Sequence, residues 1–76
     1  MARPIYEIAR EIEGAWAKVN YAARPYLDAM KECADINGMY YADTAKSVVL
    51  YFLANAGTWR GEDARRIKAE LKGMAA

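Results

Sequence analysis

Apolar residues recur at helical spacing in four stretches of the chain, and glycine, proline or asparagine separates these stretches from one another. The pattern predicts an all-α fold, a compact bundle of four short helices that forms a single helical domain over residues 1–76. The four predicted helices lie at about residues 4–19, 21–36, 44–56 and 62–72.

The third predicted helix differs from the others because residues 47–56 are apolar on nearly every side. The segment is too short to span a membrane, and a helix that is apolar all round is normally enclosed by protein. Asp43 and Thr44 are residue types that begin helices, and Gly57 can adopt the left-handed conformation that ends one. We therefore expect this helix to be central, with no side open to solvent.

Two further residues mark the ends of predicted helices. Pro25 disfavours helical geometry in the residue before it and lacks a backbone donor, so the second helix begins or kinks there. Gly73 is the expected end of the fourth helix. The residues expected to face the core are Ile5, Ile8, Ile12, Trp16 and Val19 in the first helix, Tyr26, Leu27, Met30, Cys33 and Ala34 in the second, Tyr51 and Phe52 in the third, and Ala64, Ile67, Leu71 and Met74 in the fourth.

The composition is unusually apolar for a chain of this size. Hydrophobic residues make up 55% of the 76 residues, which is more apolar surface than a small monomer buries easily. An interface with a second copy or with another protein would cover the excess. The composition therefore predicts self-association, most simply as a homodimer.

The net charge and the single cysteine limit the binding partners and the cellular compartment that we expect for this protein. A formal net charge of +1, from 11 Lys and Arg against 10 Asp and Glu, provides no global field toward nucleic acid or anionic lipid. Any binding of nucleic acid must be local, and we expect no association with membranes. No signal peptide precedes the first predicted helix, and Cys33 has no second cysteine with which to pair. We therefore expect a cytoplasmic protein.

No residue pattern in the chain indicates a catalytic, cofactor or metal site. Histidine, the commonest general base and metal ligand, is absent. Cys33 follows Glu32 on an apolar helix face and is expected to behave as a small buried hydrophobe. Asp28, Glu32 and Asp35 form an acidic stripe that could hold a hard cation, although a solvated helix face explains the stripe without a ligand. We expect a non-enzymatic protein with no cofactor.

Arg65, Lys68 and Lys72 form a basic stripe along the fourth predicted helix, with no acid on the same face. Three cations on one helix can follow phosphates, and the third and fourth helices with their turn have the outline of a helix-turn-helix. However, Glu62 and Asp63 at the start of the fourth helix are poor phosphate ligands. The alternative is a solvated or inter-subunit face, which could complement the acidic stripe of a second molecule.

Several aromatic residues lie outside the predicted core faces. Tyr40 and Tyr41 fall in a predicted loop, and Trp59 falls beside Arg60 in a turn. Because Trp, Tyr and Arg dominate binding hot spots, these residues and the basic stripe are the candidate partner-binding residues. Trp59 has a second interpretation, in which it plugs the end of the bundle while Arg60 satisfies helix-terminal carbonyls.

Two segments of the chain carry a resemblance to known proteins, namely YFLANAGTWRG at residues 51–61 and ARRIKAELK at residues 64–72. Both resemble a group of very short proteins encoded by tailed bacteriophages and prophages. The likeness extends to residues 6–9 and 25–30, and it carries no catalytic motif. What the resemblance implies is a setting. Small phage proteins of this kind often act inside a bacterial host by binding a host protein or a defence component.

These observations predict a small, non-enzymatic, phage-type accessory protein that acts by protein–protein interaction and self-associates. The alternative is a small nucleic-acid-binding module that uses the basic stripe of the fourth helix. A hydrolase or metal enzyme is a third class, and only the acidic residues favour it.

Overall fold

The computed structural model describes residues 3–40 and 43–75 and confirms an all-α bundle. Two short strands form an antiparallel pair between the second and third helices, where the sequence predicts a loop, and Met39 lies opposite Thr44 in this pair. The elements in chain order are α1 (Ile5–Ala15), α2 (Arg24–Met30), β1 (Met39–Tyr40), β2 (Asp43–Thr44), α3 (Ala45–Ala54) and α4 (Glu62–Ala75).

The helices enclose one apolar core. α3 contacts α2, α4 and both strands, and α1 contacts α2 and α4. The inward faces predicted for α1 and α4 are confirmed, with Val19 and Met74 half-buried against the core. The largest side chains with essentially no exposure are Ile5, Ile8, Ile12, Leu27, Met30, Val49, Phe52, Ile67 and Leu71.

The first helix ends at Ala15, four residues before the predicted end at residue 19. The backbone of Trp16 is extended, with φ −106° and ψ 91°, after its N–H has donated to the carbonyl of Ile12 at 2.7 Å. This change of direction carries the indole of Trp16 into the core, where it meets the ring of Phe52 edge-on, with 6.2 Å between ring centroids. The helix therefore stops where its last large apolar residue turns inward.

The second helix is much shorter than the predicted span of residues 21–36. At its start, the side-chain oxygen of Asn20 accepts from the backbone N–H of Ala22 at 3.0 Å, which stabilises a turn instead of a helix. Pro25 then lies in the first turn of α2, where a missing donor costs nothing. The helix ends at Met30, and the acidic stripe predicted along it is consequently divided, with only Asp28 inside α2.

Thr44 is predicted to begin a helix, and Gly57 and Gly73 are each predicted to end one; only the prediction for Thr44 is confirmed. Thr44 is the N-cap of α3 as predicted, because its hydroxyl accepts from the backbone N–H of Ser47 at 3.1 Å. The left-handed closure predicted at Gly57 is wrong, since the glycine with positive φ is Gly61, at +114°, just before α4. The end predicted at Gly73 is also wrong, because α4 continues through it to Ala75.

The prediction that the third helix has no side open to solvent is wrong. Leu50 is 46% exposed, Tyr51 is 52% exposed, and Ala54 is also exposed; we call these three residues the open flank of α3. α2 has only seven residues, about 10 Å of helix, so it covers α3 on one side and leaves this flank bare. Tyr51, predicted in the core, lies on the flank, and Tyr26 is half-buried beside it, with 5.5 Å between the ring centroids.

Within residues 3–40 and 43–75, neither α3 nor any other helix has the length and apolar character needed to cross a bilayer.

Candidate functional site

A surface groove of about 430 Å³ lies between the turn at residues 59–61 and the outer side of α4. It contains five residues that the sequence singles out as candidates for partner binding. We call it the basic groove, and we call its four basic residues, Arg60, Arg65, Lys68 and Lys72, the groove cations. The lining residues are Trp59, Arg60, Gly61, Ala64, Arg65, Lys68, Ala69 and Lys72.

Local structure fixes the turn against the helix. The backbone N–H of Trp59 donates to the carbonyl of Ala56 at 3.1 Å, and that of Arg65 donates to the carbonyl of Gly61 at 3.0 Å. The positive φ of Gly61 lets the chain reverse into α4 without the strain that a side chain would cause there. Residues 65, 68 and 72 then follow one another along a single side of the helix, at spacings of three and four.

Trp59 forms the inner wall of the groove and is only 4% exposed. Its indole stacks on that of Trp16, with ring centroids 5.4 Å apart and ring planes 7° apart. The interpretation of Trp59 as a plug at the end of the bundle is therefore the one that the structure confirms. Its companion expectation fails, because Arg60 is exposed and makes no hydrogen bond to a helix-terminal carbonyl among the described residues.

Among the described residues, Lys68, and not Arg60, makes a polar contact with the backbone of the turn. Its ammonium group donates to the carbonyl of Trp59 at 2.6 Å and lies 6.0 Å from the centroid of the Trp59 ring. Partial burial lowers the pKa of Lys68, and the positive charges of Lys72 and Arg60 lower it further. The lowered pKa of Lys68 therefore reflects first its partial burial and then the like charges beside it in the basic groove.

The groove cations share one groove and have no acidic partner there, whereas the other basic residues without an ion pair among the described residues, Arg10, Lys18 and Lys46, do not line this groove. No ion pair joins any of the four to a carboxylate within the described ranges, and no acidic residue lines the basic groove. Four basic residues elsewhere lie against carboxylates at 3.5 Å or less. These pairs are Arg3 with Glu11 and Glu70, Arg24 with Glu13 and Asp28, Lys31 with Glu13 and Asp28, and Arg66 with Glu11 and Asp63.

The acidic stripe does not form one face. Asp28 is paired with Arg24 and Lys31 in α2, whereas Glu32 and Asp35 follow the end of that helix. The described residues contain no group of three or more Cys, Asp or Glu side chains placed to hold a metal ion. Because Asp28 already has two basic partners, the structure does not leave the stripe ready to pair with the groove cations of a second copy.

The remaining candidates lie elsewhere or outside the described residues. The backbone of Tyr40 pairs with Asp43 in the two-stranded segment, away from the groove lining, and Tyr41 lies outside the described residues. Cys33 is buried, and its thiol donates to the carbonyl of Ala29 at 3.3 Å. Burial raises the pKa of Cys33, and the charge of Glu32 raises it further; the predicted burial of this side chain is confirmed.

Sequence reasoning missed a network of ion pairs that joins α1 to α4. The guanidinium of Arg3 donates to both carboxylate oxygens of Glu70, at 3.0 and 2.7 Å, and also pairs with Glu11 at 2.8 Å. Arg66 donates to Glu11 at 2.6 Å. Apart from matching charge, the sequence holds no signal for contacts between residues so far apart.

Comparison with known proteins found no match to the chain among protein-family models, curated proteins or solved structures.

Proposed function

We propose that this chain is a small, non-enzymatic accessory protein that acts by protein–protein contact, and that the basic groove binds an acidic segment of its partner. The proposal depends on one observation. The four groove cations line the same groove, and none of them has an acidic partner among the described residues. Cations held together in this way repel one another, and an anionic partner removes the repulsion. The same surface gains both attraction and correct orientation when an acidic segment binds.

The setting of the interaction follows from the resemblance to phage proteins. A protein of that group would meet its partner in the cytoplasm of a bacterial host, so a host protein with an exposed acidic segment is the partner we propose. Charge complementarity at such a surface accelerates association and fixes orientation more than it strengthens the final complex. Binding through the basic groove should therefore weaken as the salt concentration rises.

Nucleic acid is the alternative occupant, because the groove cations also suit phosphates. Three features favour a short acidic protein segment, confined to the groove, over a long nucleic-acid backbone. α4 begins with Glu62 and Asp63, both exposed beside the groove, and these carboxylates would repel a phosphate backbone that continued past the turn. The net charge is only +1. The spacing from Arg65 to Lys72 spans about 10 Å of helix axis, a short track for a duplex.

A binding assay with a fluorescein-labelled glutamate-rich peptide tests the proposal. We expect binding at low salt, loss of binding in the double variant Arg65→Glu, Lys72→Glu, and no binding of the same peptide with glutamine in place of glutamate. The double variant Lys18→Glu, Lys46→Glu makes the same change in net charge at exposed positions outside the groove. This control should lose only the small part of the peptide binding that depends on net charge.

Equal loss in the two double variants would contradict the proposal, because binding would then follow net charge and not the groove. Tighter binding of a duplex DNA oligonucleotide than of the peptide, abolished by Arg65→Glu, Lys72→Glu, would replace it with the nucleic-acid alternative.

Self-association is the second part of the proposed function. The open flank of α3 presents Leu50 and Tyr51 to solvent, and large apolar side chains on one helix face are a common feature of contacts between subunits. We propose a homodimer in which this flank is covered. The open flank and the basic groove have no residue in common, so the two proposed contacts use different residues.

A further inference from the structure

We infer that the ammonium group of Lys68 is the anchoring point for the partner, and that it binds one side-chain carboxylate of the acidic segment between Arg60 and Lys72. This inference rests on the proposed function and assigns unequal roles to the groove cations. Lys68 is the fixed anion-binding group, whereas Arg65 and Lys72 attract the segment from the exposed part of the groove.

The position of Lys68 separates it from the other groove cations. Its side chain is half-buried, and its ammonium is held at 2.6 Å from the carbonyl of Trp59, while Arg60, Arg65 and Lys72 are exposed. A long basic side chain normally loses conformational entropy when it binds a ligand. Lys68 has lost much of that freedom in the folded protein. Binding of a carboxylate to Lys68 therefore costs less conformational entropy than binding to a mobile side chain.

The ammonium of Lys68 retains capacity for a ligand. An ammonium group has three donors, and the carbonyl of Trp59 takes one of them. No other hydrogen bond of this ammonium occurs within the described part of the chain. Two donors therefore remain for the oxygens of a carboxylate, which accepts hydrogen bonds from charged donors at short distance.

The surroundings of Lys68 favour an anion and leave space for it. Lys72 and Arg60 line the same groove as Lys68, and after partial burial, which is the main cause, their charges lower the pKa of Lys68 further. Gly61 and Ala69 contribute to the groove lining with small or absent side chains, so the approach to Lys68 is not blocked by bulk. The groove volume of about 430 Å³ accommodates a glutamate side chain and the backbone that carries it.

The test compares single substitutions that remove the same charge. The labelled glutamate-rich peptide is titrated against wild-type protein, Lys68→Gln, Lys72→Gln and Lys18→Gln, the last being an exposed lysine outside the groove. We expect Lys68→Gln to weaken binding by about tenfold or more, as loss of a charged hydrogen bond does. We expect Lys72→Gln to weaken it by less than about threefold, Lys18→Gln to have almost no effect, and Lys68→Arg to restore part of the affinity.

Intrinsic fluorescence shows whether each variant is folded. The chain has two tryptophans, and both belong to the stack beneath the basic groove, so an unchanged emission spectrum means that the stack is intact. If Lys68→Gln changes the spectrum, the measurement moves to wild-type protein, where NMR follows the titration of the Lys68 side chain. A bound carboxylate must then raise the pKa of Lys68, and an unchanged pKa overturns the inference.

Failure of the inference and failure of the proposed function give different results. Equal weakening by Lys68→Gln and Lys72→Gln means that the groove attracts the peptide as a diffuse charge, which overturns the anchoring role and leaves the proposed function standing. Absence of peptide binding to wild-type protein, or preference for duplex DNA, overturns both.

Discussion

The indole rings of Trp16 and Trp59 stack face to face, with 5.4 Å between centroids and 7° between planes. Trp16 follows the end of α1, and Trp59 stands in the turn that leads to α4. Phe52 of α3 meets Trp16 edge-on, so the stack joins three parts of the chain at one end of the bundle. The outer side of the same stack carries the basic groove, and the geometry of the proposed binding surface therefore depends on core packing.

Replacing Trp59 by alanine should destabilise the protein strongly. Removal of a buried aromatic side chain costs about 3–5 kcal/mol, which is a large part of the stability of a small domain. Urea denaturation followed by circular dichroism measures the change. Trp59→Phe should lose less, and Tyr21→Ala, at a side chain that is 89% exposed, should lose almost nothing. A wild-type unfolding midpoint for Trp59→Ala would show that the stack does not hold the bundle together.

Gly61→Ala should destabilise the turn that forms the basic groove. Gly61 has φ +114°, a conformation that costs a residue with a side chain about 1–3 kcal/mol. Gly57→Ala is the matched control, since a Cβ atom at Gly57 meets nothing within 4 Å and the residue does not have a positive φ. We expect a lower thermal midpoint for Gly61→Ala and a nearly unchanged one for Gly57→Ala. Equal midpoints would contradict the assignment of the strained position.

Gly14→Ala and Gly73→Ala should each stabilise the protein. Both glycines are exposed within helices, and a Cβ atom added to either meets nothing within 4 Å. Alanine is favoured over glycine in a helix interior by about 0.5–1 kcal/mol. A higher urea midpoint for each variant is the expected result, and a lower one would mean that these positions touch a part of the molecule outside the described residues or a second copy.

Local signals in the sequence were enough for much of the fold. The spacing of Ile5, Ile8 and Ile12 identified the buried face of α1, and the side chain of Thr44 identified the start of α3, because both depend on residues within one or two turns. The wrong prediction that α4 ends at Gly73 also came from a local signal. A glycine only permits a helix to end, and the burial of Ala75 gives α4 a reason to continue.

Features that depend on distant parts of the chain could not be predicted. The shortness of α2 follows from the turn at Asn20 and from the packing of the chain after Met30, and it exposes the flank of α3 that the sequence placed in the core. The candidate site was predicted in part. The spacing of α4 brought Lys68 and Lys72 together on one face, but the contact of Lys68 with the Trp59 carbonyl needed the turn and the helix in three dimensions.

Stability should fall as the pH falls below the ordinary Glu pKa of 4.5. Arg66 lowers the pKa of Glu11 in the folded protein, and Arg3 lowers it further. Because the unfolded chain takes up this proton first, the contribution of Glu11 is present above pH 4.5 and is lost as the pH falls toward the lower folded pKa. Urea midpoints between neutral pH and pH 3 should show a smaller decline in Glu11→Gln than in wild type. Glu7→Gln, on the exposed side of the same helix, should decline as wild type does.

Leu50→Lys should convert the proposed homodimer to a monomer without unfolding it. A charge on the open flank of α3 opposes burial against a second copy, whereas in the monomer this side chain is already 46% exposed. Size-exclusion chromatography with light scattering measures the mass, and Ala17→Lys adds the same charge at an exposed position outside α3. A wild-type protein that is monomeric at micromolar concentration would contradict self-association.

The ion pairs between α1 and α4 have a consequence for how the protein is made. Arg3 and Glu11 find their partners in Glu70 and Arg66, near the opposite end of the sequence. During synthesis, the first helix must wait for the last one before Arg3 and Glu11 reach their partners in α4 and its isoleucines are fully covered. Because contacts of such long range form late and slow folding, the packing of the first helix is completed only after residues 66–70 have been made, and the bundle does not grow outward from that helix alone.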